Sequence, residues 1–151
     1  MSVALTAAYV LHTLFAGLWV GGVVLATWKL LPLAKAGDIA PETFSAVTDG
    51  LSTLTRVGAV VFVATGGHMA AEVYGSEGLF TPPDGHVVLS MLALWLVMAG
   101  LVEVGASKAR SALDEDKVRT GARDADAFLK AASAVGVVLL VLGGYLASPG
   151  L

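Results

Sequence analysis

Apolar residues along this chain gather into four long runs, roughly Leu5 to Trp28, Val57 to Ala71, His86 to Ala106 and Phe128 to Ala147, and the polar residues collect between them. With modest extension each run approaches the ~20 residues that cross a bilayer as a helix. The pattern predicts an all-α protein, an integral membrane four-helix bundle in which residues 1–151 form a single domain. The first run has no basic residues ahead of it and exceeds the length of a signal peptide's apolar core, so it is expected to persist as the first helix.

Punctuating residues set the expected boundaries. Pro32 and the Ala36-Gly37-Asp38 stretch should close the first helix, and Pro41 suits an early position of the second. Phe44, Val47, Leu51 and Leu54 recur at spacings of three and four, an apolar stripe on a stretch that also holds Ser45, Thr48, Asp49, Ser52 and Thr53. That stretch is read as an amphipathic approach, lying on the membrane surface or packing under the bundle. Tyr74 to Pro83 is a Gly- and Pro-containing loop, and Asp84 is placed to cap a third helix with His86 in its first turn. Ser111 to Arg123 reads as a charged loop, part helix, with Asp124 or Asp126 capping the last helix. Helix contacts in lipid favour small residues, and Gly17 with Gly21, then Gly66, Gly67, Ala70, Gly100, Gly136, Gly143 and Gly144, are expected close approaches.

Charge adds an orientation. All nine Lys and Arg lie in two stretches, Lys29 to Arg56 and Lys108 to Lys130. Basic loops stay in the cytoplasm, so the N-terminus, the C-terminus and the second loop are expected outside. A hydrophobic content of 56% and a mean hydropathy of +0.81 exclude an ordinary soluble domain and point to a multi-pass protein of the cell membrane, with the lipid bilayer as its first partner. The outer loop carries Glu72, Glu77 and Asp84 without a compensating base, a mildly negative mouth for an arriving cation, and nucleic acid is not an expected partner. With no cysteine, thiolate metal sites and Cys nucleophiles are excluded, and no phosphate-binding loop, nucleophile elbow or HExxH sequence is present.

The candidate chemistry rests on three histidines, His12, His68 and His86, one on each of the first three helices and all toward the outer side. Ionisable residues inside a membrane segment are costly enough to suggest function, and imidazole is a ligand shared by copper, zinc and haem iron. Glu72 lies four residues beyond His68 on the same helical face and completes a proposed metal set of His12, His68, His86 and Glu72. The competing reading makes each histidine a hydrogen-bonding residue near a helix end; it applies most to His86 and least to His12, the deepest of them. Met91, Met98 and Trp95 form a stripe that reads as core, and Trp19, on the His12 face, reads as core or as a pocket wall. Glu103, inside the third apolar run, needs a partner, and Arg56 is the best placed.

The stretch Tyr9 to Gly22, YVLHTLFAGLWVGG, followed by LLPLA at Leu30 to Ala34, resembles the first helix of the copper-resistance D (CopD) family. Arg56, Thr65-Gly66, Gly85-His86 and the long third helix extend that resemblance over nearly the whole chain. A similar four-helix plan and first-helix histidine also resemble the bacterial membrane protoporphyrinogen oxidase family, which would imply b-type haem held by His12. The resemblance to the copper-resistance family implies copper bound or moved from the outer side, and His12 in its family-like segment, with His68 by its similar depth on the neighbouring helix, are the expected cofactor-binding residues. Haem b, serving electron transfer or an oxidase, is the alternative. A structural scaffold subunit is the third reading, and a homo-oligomer or a partner membrane subunit is compatible with each.

Overall fold

The computed structural model describes residues 2–113 and 117–148, and within these it is helical without strands. Helix α1 spans Val3–Leu25 and passes through a π-helical turn, Ala26–Leu30, into α2, Leu31–Ala36. Helix α3 spans Pro41–Val73, a single turn α4 spans Gly75–Gly78, and α5 and α6 span Asp84–Leu113 and Val118–Ala147. Four helical stretches, Val3–Ala36, Pro41–Val73, Asp84–Ala112 and Val118–Ala147, are long and apolar enough to cross a membrane. The chain is therefore an all-α, multi-pass membrane bundle. Each span runs antiparallel to its neighbours, and α1, α3, α5 and α6 close a ring. Both described ends of the chain lie at one end of the bundle, the terminal end, and the Lys- and Arg-rich connections lie at the other, the basic end.

At 33 residues α3 is about 50 Å long, well beyond a hydrocarbon core of about 30 Å, so the bundle continues past the membrane. Its core accordingly has two parts. Trp19, Val20, Val23, Ala26, Leu51, Phe62, Met98, Val102 and Ala132 form the first, with Val47, Leu54 and Trp95 packed against it. Leu31, Ala34, Phe44, Ala109, Val118, Ala122, Ala125 and Leu129 form the second, at the basic end. The amphipathic stripe of α3 thus packs within the bundle. The buried Thr48 hydroxyl is satisfied along its own helix, by the Phe44 and Ser45 carbonyls at 3.0 and 2.9 Å.

Several boundaries differ from the sequence expectation. Pro32 does not end the first helix: the wider π turn accommodates its ring and slips the hydrogen-bond register where Pro32 supplies no donor. In that turn the Thr27 hydroxyl donates to the Val23 carbonyl at 2.7 Å, lies 3.1 Å from the Leu129 carbonyl, and accepts from Ser133 at 2.9 Å. The Ala36-Gly37-Asp38 stretch does close the first helix as expected: Gly37 ends α2 at φ 84°, with the Arg119 side chain where a Cβ would stand. Neither Asp124 nor Asp126 caps α6, which begins at Val118 because Val118, Ala122 and Ala125 have the second core to pack into. Asp126 instead forms ion pairs with Lys35 of α2 and with Lys130. The centre of the charged connection, residues 114–116, lies outside the described residues, as do Pro149 and Gly150.

Of the glycines expected at close approaches, Gly66 and Gly136 stand at one and several others do not. A Cβ on Gly136 would stand 3.0 Å from both Met98 Cε and Val20 Cγ1, and one on Gly66 would stand 3.2 Å from His12 Cε1. Gly17, Gly21, Gly67, Gly100 and Gly144 face open space within the monomer, while Gly105 and Gly121 mark tight contacts of α5 with α6.

Candidate metal-handling site at the terminal end

Residue His12 sits nine residues into α1, about 13 Å from its start by helical rise, where α1 packs on α3. Its Nδ1 lies 2.9 Å from the Thr65 hydroxyl oxygen, and that hydroxyl donates to the Val61 carbonyl at 2.6 Å. The imidazole meets the Phe62 ring edge-on, with centroids 5.1 Å apart and planes at 68°, and Gly66 leaves room for Cε1. Toward the basic end Phe62 also contacts Trp19 and Trp95, at 5.7 and 6.4 Å between centroids, so aromatic rings from three helices fill the bundle beyond His12. Trp19 is 2% exposed, and its indole N–H donates to the Thr55 hydroxyl at 2.9 Å. It is core, as is Met98 at 0% exposure.

The converging set of His12, His68, His86 and Glu72 is not found: among the described residues no group of three or more His, Asp or Glu comes together as a metal-binding cluster. Helical rise explains this. His68 lies three residues, about 4.5 Å, beyond the level of Thr65, and His86 occupies the first turn of α5, so the three imidazoles stand at different depths. His86 is exposed, and so is Glu72. His68 is partly buried, and its Nε2 is buried without a hydrogen-bond partner. Near the rim, burial and then the neighbouring Asp84 carboxylate and Tyr9 phenol push the Tyr74 phenol above its ordinary range.

Two residues of this site, Thr65 as the partner of His12 and Phe62 as its aromatic neighbour, were not singled out for those roles from sequence. The available signal was a hydroxyl within an apolar run at matching depth: Thr65 and Thr55 on α3 stand opposite His12 and Trp19 on antiparallel α1. At the basic end the expected partner of Glu103 is confirmed. Arg56 holds both carboxylate oxygens, with Nε and Nη2 each at 3.1 Å. Seven residues along each helix the polarity reverses, as Arg110 pairs with Asp49 at 3.3 Å and donates to Ser52 at 3.1 Å. These crossed pairs fix the register of α3 against α5.

No curated protein and no solved structure matches the chain significantly. The resemblance to the membrane protoporphyrinogen oxidase family finds no support. The family model described as "Copper resistance protein D" matches residues 45–146, two thirds of the chain and three of its four spanning helices. With four spanning helices and that match, the chain belongs to the copper resistance protein D family.

Proposed function

We propose that this protein handles copper within the membrane, taking the ion at the terminal end of the bundle, which we place outside the cell, with His12 as ligand and His68 as second donor. The setting of His12 carries this reading. An imidazole lies well inside the first spanning helix and is held through one ring nitrogen by Thr65. Such a hold leaves the other nitrogen for ligation, as when an outer hydrogen bond orients a metal-binding imidazole. The donor types fit the ion: imidazole nitrogen suits copper, and His68 Nε2 is a buried nitrogen that no described protein group satisfies. His86 and Glu72, exposed at the same end with Glu77 and Asp84, form the mildly negative mouth that an arriving cation meets first.

The test compares cellular copper in cells producing the parent or His12→Ala at equal membrane levels. The parent should change copper content relative to cells lacking it, and His12→Ala should abolish that change. Equal copper content in parent and His12→Ala cells would refute the assignment.

A further inference from the structure

The contact between Thr65 and His12 contains more than a distance. Thr65 Oγ1 lies 2.6 Å from the Val61 carbonyl oxygen, and a carbonyl has no proton to give. Two oxygens at that separation need a proton between them, so the single hydroxyl proton of Thr65 is committed to Val61. Toward His12, 2.9 Å away, the same oxygen can then only accept, and Nδ1 must carry the proton. The neutral ring with Nδ1–H has its lone pair on Nε2.

The same construction recurs deeper in the same helix pair with the donor's identity beyond choice. Thr55 donates to the Leu51 carbonyl at 2.8 Å and accepts from Trp19 at 2.9 Å, and an indole N–H is a donor only. Around His12 the remaining freedom of the ring is small, since the Phe62 ring stands on one side and Gly66 beside Cε1.

From this geometry we infer that Thr65 is a positioning residue: it fixes His12 in the Nδ1–H tautomer and thereby leaves Nε2 as the nitrogen offered to copper. The tautomer part stands on the hydrogen bonds alone, whereas the copper part rests on the function proposed above.

The experiment follows the imidazole nitrogens of 15N-histidine-labelled full-length protein in lipid nanodiscs, with His12 assigned by its loss in His12→Ala. The parent should show protonated Nδ1 and unprotonated Nε2 at His12. Thr65→Val, nearly isosteric but without a hydroxyl, should shift His12 toward the Nε2–H form, and Thr65→Ser should keep the parent pattern. Thr55→Val removes the equivalent hydroxyl beneath Trp19 and should leave the His12 pattern unchanged, which separates tautomer control from general loosening of the helix pair. Titration of the same samples with copper(I) should show affinity weakened by ~10- to 100-fold in Thr65→Val and restored in Thr65→Ser. An unchanged His12 tautomer in Thr65→Val, or an equal change in Thr55→Val, would overturn the inference. A tautomer that shifts as expected while parent and His12→Ala bind copper equally would uphold Thr65 as the tautomer-setting residue and overturn the copper role of Nε2.

Discussion

Replacing Gly136 by Ala tests the close packing of α6 against α1 and α5. The new Cβ would stand 3.0 Å from Val20 Cγ1 and Met98 Cε and 3.2 Å from Met98 Sδ. Val20 is 3% exposed and Met98 0%, so neither side chain has free space to retreat into. Gly to Ala within a helix gains about 1 kcal/mol of propensity, while overpacking a filled core costs about 1–3 kcal/mol. The net expectation for Gly136→Ala is a loss of up to about 2 kcal/mol. Gly17→Ala, whose Cβ meets nothing within 4 Å, has the propensity gain without the clash and should be neutral to about 1 kcal/mol stabilising. The two variants differ in this one term. Met98→Ala should alone cost about 2–5 kcal/mol as a buried truncation, and the double variant Gly136→Ala with Met98→Ala should cost less than the sum, because the added methyl enters the space the truncation opens. Chemical denaturation in mixed micelles, followed by helical circular dichroism, gives the four midpoints. A Gly136→Ala protein as stable as Gly17→Ala, or strict additivity with Met98→Ala, would refute the packing of α6 against α1 and α5 described above.

Two further outcomes follow from the charges. Arg56→Gln and Glu103→Gln should each lower the denaturation midpoint by leaving a charge without its bidentate partner, and the double variant should lose less than the two combined; full additivity would reject the pair as an interaction. The positive-inside rule predicts that the termini lie outside, so cysteines introduced at Ser2, Ser76 and Ser148 should react with an impermeant thiol reagent in intact cells and one at Ser111 should not. Labelling at Ser111 alone would reverse the orientation.

The spans were legible because lipid imposes one requirement on every residue of a crossing, and apolar runs of sufficient length satisfy it as helices. The same physics made the Arg56–Glu103 pair legible: a carboxylate inside an apolar run needs a cation at its own level, and only a few were available. Helix ends were less readable. Pro32 and Asp126 have strong local preferences, yet the π turn absorbs one and ion pairs with Lys35 and Lys130 hold the other, both under the pull of a second core that no single segment reveals. Glycines were legible only in part for a related reason, since Gly17 and Gly136 look alike in sequence and only the rotation of each helix decides which one meets a neighbour. The candidate site was half legible. Depth marked His12 and its helix, but its partner Thr65 depends on the register between α1 and α3, and the apparent convergence of three histidines came from placing His12, His68 and His86 at one level when their helices set them at three.

The central claim is that His12, held by Thr65, and His68 bind copper. Purified parent protein, His12→Ala, His68→Ala and the double variant should be loaded with copper, freed of excess, and measured for metal content and visible absorption, at neutral and acidic pH. The account predicts copper on the parent, most of it lost in either single variant and on acidification, because an imidazolium has no lone pair for a metal. Equal copper in the parent and the double variant, or an intense Soret band of haem in the parent that disappears with His12, would contradict it.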